Sequence, residues 1–304
     1  HDPAEQQRGL IRTRELRTAD AVEQLQDRID GRVAAVGADA GGDAQGDTFI
    51  NVETVVGSAF NDTFTLNGGL VINGGAGNDV FYDGAGDDKL YGEAGDDTMA
   101  RTDASGTDIF DGGLGTDTFT FSMYVLSARL DLLAQARNAG QAEGLTLTGF
   151  EKIVGSSADD ELLGSNAADV FDGAFGDDVL MGRDGDDTLN GGSGDDWLTG
   201  GAGKDQFLFD YSARGNTGDV VTDFTRGEDK LAFIGYSFSM TDDTFRLVTG
   251  ADPLATELAA TFLFETDTGR LWFDADGAGD YVEAEFIALL QDVTQLTRGD
   301  FLLL

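Results

Sequence analysis

Between Gly57 and Asp210 the apolar positions follow neither the 3.6-residue period of a helix nor the two-residue alternation of a long strand; they return in steps of nine. One column reads Phe81, Leu90, Met99, Phe110 and Phe119, and later Leu162, Phe171, Leu180, Leu189, Leu198 and Phe207. Two residues before each stands an aspartate: Asp79, Asp88, Asp97, Asp108 and Asp117, then Asp160, Asp169, Asp178, Asp187, Asp196 and Asp205. Counting each unit from its first glycine, aspartate holds place six and the apolar residue place eight. A fixed period of this kind is the signature of stacked repeats that share one core. The Gly-rich first six places suit a tight turn, and the last three are long enough only for a short strand whose middle side chain points inward. Two units then make one coil of a parallel β-roll.

The second block is regular, running from GSSADDELL at Gly155 through GSNAADVFD, GAFGDDVLM, GRDGDDTLN and GGSGDDWLT to GGAGKDQFL. The first is broken: GSAFNDTFT at Gly57 is followed by an eight-residue unit from Leu66 that lacks its aspartate. GGAGNDVFY, DGAGDDKLY and GEAGDDTMA follow, then two extra residues, Arg101 and Thr102, before the register resumes at Asp103. GDTFINVETVVGSAFND at 46–62 parallels GLTLTGFEKIVGSSADD at 144–160, so each block has a lead-in strand, marked by Val52, Val55 and Val56 or by Phe150, Ile153 and Val154. Partial helical spacing predicts a short helix in the N-terminal stretch around Leu16, Val22, Leu25, Ile29 and Val33. The connector at 122–143, with Tyr124, Val125, Leu130, Leu132 and Leu133, has similar spacing. After Asp210 the repeats stop and β-rich segments at 218–234 and 261–279 and the final DFLLL form a cap.

The expected architecture is therefore all-β: a parallel β-roll, or β-helix solenoid, in two stacks with a β-rich C-terminal cap and a short N-terminal helical segment. The chain divides into an N-terminal segment (1–45), a first roll block (46–121), a connector with lead-in strand (122–154), a second roll block (155–210) and a C-terminal region (211–304).

Charge changes this picture. The chain has 57 Asp and Glu against 19 Lys and Arg, a formal charge of −38, which opposes any compact state unless cations neutralise it and argues against nucleic acid as a partner. Cysteine is absent, so neither disulfides nor thiolate zinc sites staple the coils. No apolar run is long enough to span a bilayer, and no N-terminal export signal is visible.

Stacked coils bring place-six carboxylates together with turn carbonyls of neighbouring loops, an all-oxygen cage suited to a hard cation. Ca²⁺ takes roughly six to eight oxygens at about 2.3–2.6 Å in flexible geometry, whereas Mg²⁺ needs a tighter octahedron and keeps its waters. The expected ligands are the eleven aspartates above, with turn glycines Gly74, Gly77, Gly86, Gly95, Gly176, Gly182, Gly185, Gly191, Gly194, Gly200 and Gly203. If each ion lies between a unit and the next but one, about seven ions fit. So narrow a coil buries little apolar surface, and metal binding becomes folding free energy. The place-five acids, such as Asp87, Asp177 and Asp195, read as solvated faces.

At GGAGNDVFY and GGSGDDWLT the chain resembles the repeats-in-toxin (RTX), or haemolysin-type, calcium-binding proteins, with their Gly-Gly-x-Gly-x-Asp-x-apolar-x nonapeptide. The resemblance extends over about residues 46–304, since DVVTDFTRGEDKL and the terminal region are similar to the cap and uncleaved secretion signal of that family. It implies export from a Gram-negative bacterium by type I secretion machinery, folding on contact with extracellular Ca²⁺, and a structural, adhesive or surface role with a cell-surface or glycan partner. The alternative is a secretion and stability domain of an exported hydrolase, protease or lipase, whose catalytic part lies elsewhere. Asp83 and Asp103 in place of the first glycine, and the units from Gly155 and Gly164 without a place-four glycine, depart from the family pattern.

No enzyme is expected within this chain. His1 is the sole histidine, and neither HExxH, GxSxG nor a Ser-His-Asp set can be assembled. Asp274, Asp276, Gly279 and Glu285 fall at EF-hand spacing, but Ala278 spoils the match and a Gly/Asp hairpin is the expected reading. Trp197 at place seven should face outward.

Overall fold

The computed structural model describes residues 33–35, 54–66, 68–121, 125–210, 218–234, 246–255, 259–275, 277 and 284–304. Nearly all regular structure in them is short parallel strand in three sheets. The second sheet has ten strands: Thr63–Thr65, Val80–Tyr82, Thr98–Ala100, Thr118–Thr120, Lys152–Val154, Val170–Asp172, Thr188–Asn190, Gln206–Phe209, Lys230–Phe233 and Phe301–Leu303. Every neighbouring pair in it is parallel. The opposite face starts as a six-stranded sheet: Val33–Ala35, Thr54–Val56, Val71–Ala76, Lys89–Ala94, Asp108–Asp111 and Leu145–Thr148. It continues as the third sheet, with Ala128–Asp131, Glu161–Leu163, Val179–Asp184, Trp197–Ala202 and Asp219–Val221 at its centre.

The two expected stacks thus share one face. Thr118–Thr120 pairs with Lys152–Val154, which pairs with Val170–Asp172, so the second sheet runs through the connector unbroken. The opposite face breaks because the connector lays down two strands: Ala128–Asp131 joins Glu161–Leu163, while Leu145–Thr148 turns back to Asp108–Asp111. Side-chain amides bridge the seam. Gln135 accepts from Leu147 N–H and donates to Leu147 C=O (both 2.7 Å), and Asn138 accepts from Asp131 N–H (2.8 Å) and donates to Leu145 C=O (3.0 Å). An amide carries one donor and one acceptor edge, as a strand residue does, so it can terminate a ladder without leaving buried polar groups unpaired. The connector helix expected from spacing is not formed among the described residues; a single 3₁₀ turn, Gln135–Arg137, stands there. Its apolar spacing serves strands, with Leu130 buried in the roll and Leu133 exposed. The expected N-terminal helix lies outside the described residues, apart from Val33, which belongs to a strand.

All eleven place-eight residues are completely buried, each stacked on its counterpart one coil away, as in Phe81↔Met99 and Leu189↔Phe207. Each contributes on the order of 1.5–3 kcal/mol of burial. Beyond Asp219–Val221 the third sheet continues through Glu285–Leu290, Arg270–Asp274, Thr261–Glu265 and Leu247–Gly250. Phe233, Phe262, Phe264 and Phe273 form the cap core. Asp274 and Glu285 flank an antiparallel hairpin, consistent with the expected turn; Asp276 and Gly279 lie outside the described residues. Trp197 faces outward, half exposed, in register with Val179 and Val220.

Candidate metal centres along the two edges of the roll

All eleven place-six aspartates are buried, in two rows along the edges of the roll. Within a row each backbone amide donates to the carboxylate one coil further on. Asp62 N–H reaches Asp79 Oδ1 (2.7 Å), Asp79 reaches Asp97 (2.7 Å), Asp97 reaches Asp117 (2.8 Å) and Asp117 reaches Glu151 Oε2 (2.8 Å). After Glu151 the row continues from Asp169 to Asp187 (2.8 Å), Asp205 (3.0 Å) and Asp229 (3.0 Å). Along the other edge Asp88 reaches Asp108 (3.0 Å), and beyond the connector Asp160 reaches Asp178 (2.7 Å), Asp196 (2.8 Å) and Asp219 (3.1 Å). Oδ1 of each aspartate that accepts such an amide is thereby committed to the fold, as are those of Asp88 and Asp160, which accept from Leu70 and Ala128 N–H.

Oδ2 is not. In Asp79, Asp88, Asp97, Asp108, Asp117, Asp178, Asp187, Asp196 and Asp205 it is buried and accepts no hydrogen bond. A buried, unpartnered carboxylate oxygen is costly unless a cation meets it. The space beside it is kept open by the place-one glycine. A Cβ on Gly74 would lie 2.3 Å from Asp79 Oδ2 and 3.0 Å from the Gly92 carbonyl oxygen; one on Gly182 would lie 2.1 Å from Asp187 Oδ2 and 2.7 Å from Gly200 O. Carboxylate and next-coil carbonyl therefore converge on one small cradle, which the place-one glycine leaves free; at Gly191 and Gly200 the carboxyl groups of Asp196 and Asp205 lie nearest. The place-four glycines Gly77, Gly86, Gly95, Gly176, Gly185, Gly194 and Gly203 all take positive φ, and a Cβ on Gly203 would fall 1.7 Å from Gly185 O. They let successive loops stack closely enough for their carbonyls to share an ion. An all-oxygen donor set of carboxylate and carbonyls fits Ca²⁺.

Place two separates these loops from a second kind. Where it has positive φ, at Gly75, Glu93, Gly113, Ala174, Arg183, Gly192 and Gly201, the aspartate ending the loop keeps its unpartnered Oδ2. Glu93, Ala174 and Arg183 hold this conformation against the steric preference of a side chain. Where place two is Ser, its own N–H closes the carboxylate: Ser58 to Asp62 Oδ2 (2.7 Å), Ser156 to Asp160 (2.6 Å) and Ser165 to Asp169 (2.7 Å). Thr225 does the same for Asp229 (2.6 Å). Asp160 and Asp169, expected as ligands, thus belong to loops that satisfy themselves.

Three further readings change. The place-five acids are exposed but bonded: Asp87 Oδ1 accepts from Thr107 N–H (2.8 Å), and Asp177 Oδ1 from Asp195 N–H (3.0 Å). Such a side chain accepts from the place-five amide two units further on, and units on both edges form these outer rungs. The rows also include Glu151, nine residues before Asp160 but a glutamate, and Asp219 and Asp229, which fall outside the nine-residue count. Their signal was an acid two residues before a buried apolar one, as in Asp229 and Leu231, hidden because 24 residues rather than 18 separate Asp229 from its predecessor in the row, Asp205, across the changed loops. Finally, the extra residues lie inside a loop. Asp83 N–H donates to Ala100 O and Arg101 N–H to Thr120 O (both 3.1 Å), the bonds of place-one residues, so Arg101 rather than Asp103 opens that loop.

Burial pushes the carboxyls up, despite the amide each accepts, and neighbouring carboxylates add to it: Asp79 and Asp187 to about 7, Asp178 to about 8 and Asp196 to about 6. A raised folded-state pKa contributes stability below the unfolded value of about 4 and loses it as pH rises through the folded value. In chelator, lowering the pH from about 8 to about 5 is therefore expected to restore part of the β-sheet circular dichroism. An ion-free chain equally unstructured at both would contradict these burial-driven shifts.

The RTX calcium-binding nonapeptide repeat model matches the chain in four copies, at 71–99, 104–119, 146–180 and 173–207. These are RTX repeats. The nine aspartates whose buried Oδ2 accepts no hydrogen bond all lie inside the matched segments. Among solved structures 33 chains match; one is the extracellular lipase LipA from Serratia marcescens, at 19% identity and a TM-score of 0.31, over 89% of this chain and 42% of the lipase. This chain thus spans less than half of that protein's length. No curated protein matches. Among the described residues of the RTX roll, no helix is long and apolar enough to cross a membrane.

Proposed function

We propose that this chain is a secreted RTX module that folds on binding extracellular Ca²⁺ and serves a structural, adhesive or surface role. One observation carries the reading: the rows of buried Oδ2 atoms that accept no hydrogen bond, which at Asp79, Asp97, Asp117, Asp178 and Asp187 share the space beside the place-one glycine with a carbonyl of the next coil. Seven of the loops combine that oxygen with positive φ at place two, namely those ending in Asp79, Asp97, Asp117, Asp178, Asp187, Asp196 and Asp205, and each is assigned one ion. Bound ions supply the positive charge that a chain of −38 lacks. Extracellular calcium modules have dissociation constants of roughly 10⁻⁴ to 10⁻³ M, so cytosolic calcium leaves such a chain open for export, in keeping with a type I route, and external calcium closes it. The module itself is read as non-catalytic, with His1 its sole imidazole.

A calcium titration followed by circular dichroism, with reversal by chelator, tests this. The expected result is a cooperative gain of β-sheet at millimolar Ca²⁺, with Mg²⁺ much weaker. Identical spectra in chelator and in millimolar Ca²⁺ would refute ion-driven folding.

A further inference from the structure

Among the place-six aspartates whose buried Oδ2 accepts no hydrogen bond, Asp108 alone has that oxygen in an ion pair with a side chain of the protein. Its loop opens with Arg101, where the regular calcium loops have glycine, and the Arg101 side chain is fully buried. It runs into the space that glycine leaves free elsewhere. Nη2 lies 3.1 Å from Asp108 Oδ2 and donates to the Glu143 carbonyl oxygen, also at 3.1 Å. Carboxylate and next-coil carbonyl, the two kinds of oxygen that converge on each cradle, here converge on a guanidinium. The extra residue after it, Thr102, donates its N–H to the Asp83 carboxylate, which ties the lengthened loop to the preceding coil.

We propose that the Arg101 guanidinium is the permanent cation of the Asp108 loop, so that this rung takes no calcium and stays closed when calcium is withdrawn. The inference rests on the calcium reading above. A guanidinium cannot lose its proton in a protein and presents a planar fork of donors, so it neutralises a buried carboxylate at any calcium concentration. Its side chain also fills the cradle sterically: a place-one residue with a side chain and a metal ion cannot occupy the same volume. The neighbouring rungs support a metal-independent stretch, since Asp160 and Asp169 are closed by Ser156 and Ser165 and the sheet break is closed by Gln135 and Asn138. Along the edge that holds Asp108 and Asp160, the roll then comprises two calcium-dependent stacks joined by a stretch that carries its own cation.

Native mass spectrometry of the full chain in calcium counts the ions. Asp187→Asn is expected to lose one, whereas Asp108→Asn keeps the wild-type number, and Arg101→Gly, which restores the glycine, gains one. Loss of an ion in Asp108→Asn, or an unchanged count in a folded Arg101→Gly, overturns the proposal. Hydrogen exchange on the unmodified protein in chelator gives an independent reading if a variant does not fold. Amides of 101–111 should exchange at least tenfold more slowly than those of 178–205; equal exchange overturns it. A wild-type chain that binds no calcium would defeat the functional reading itself, whereas parallel loss of one ion in both aspartate variants would defeat only the role of Arg101.

Discussion

With Asp187 and Asp196 both changed to Asn, the chain is expected to bind two fewer calcium ions and to need clearly more calcium to fold, with a shallower transition. The change is selective. Asn Oδ1 still accepts the amides of Asp169 and Asp178, so the ladder along both edges survives, while a neutral amide group replaces the unpartnered Oδ2. An NH₂ group turned toward a cation is a donor where a ligand is required. A seat at a hundredfold over its dissociation constant contributes about 2.7 kcal/mol, so two lost seats remove about 5 kcal/mol under those conditions. That is comparable with the whole stability of many domains. Calorimetric calcium titration alongside circular dichroism measures both quantities; an unchanged ion count with an unchanged midpoint would show that these carboxylates are not ligands.

The nine-residue period made the coil, the inward column and both rows of aspartate legible in the sequence, because in a stacked repeat each place has one environment. Phe110 and Asp108 stayed in their columns even across the insertion, since the extra length was absorbed in the loop. What the period did not show lies where the environment changes. Arg101 interrupted the repeat as two surplus residues, yet strand register assigns it place one, and only its buried contacts reveal that it brings a charge to Asp108. Glu151 holds a rung normally taken by aspartate; it stands nine residues before Asp160, but a glutamate in a stretch without the turn glycines does not read as a repeat unit. The connector misled because Leu130, Leu132 and Leu133 fit helical spacing, whereas the strand ends at Asp131, whose carboxylate accepts the Leu133 and Ala134 N–H groups and turns the chain there. Gly against Ser at place two was visible in the sequence throughout. Its meaning emerged only once Ser156 and Ser165 were seen donating to the carboxylates their loops end on.

Replacing Phe207 with Ala is expected to destabilise the calcium-loaded roll by about 3–5 kcal/mol, against less than about 0.5 kcal/mol for an exposed loop substitution such as Asp195→Ser. Phe207 is completely buried, lies in register between Leu189 and Leu231 in the second sheet and packs near Phe224 (ring centroids 6.1 Å apart). A narrow coil has few residues that could shift into the hole, which places the cost toward the upper end of the range. The calcium dependence should nevertheless change in a different way from that of the aspartate variant. If about seven ions bind in one cooperative step, a loss of about 4 kcal/mol is offset by raising free calcium only about 2.5-fold, because each ion supplies RT times the logarithm of that factor. The midpoint therefore moves modestly at constant ion number, whereas the aspartate pair lowers the ion number itself. A Phe207→Ala protein that lost ions, or whose midpoint moved by tenfold or more, would show that core and ions are not linked through a single cooperative fold, and that the stack closes in separate pieces.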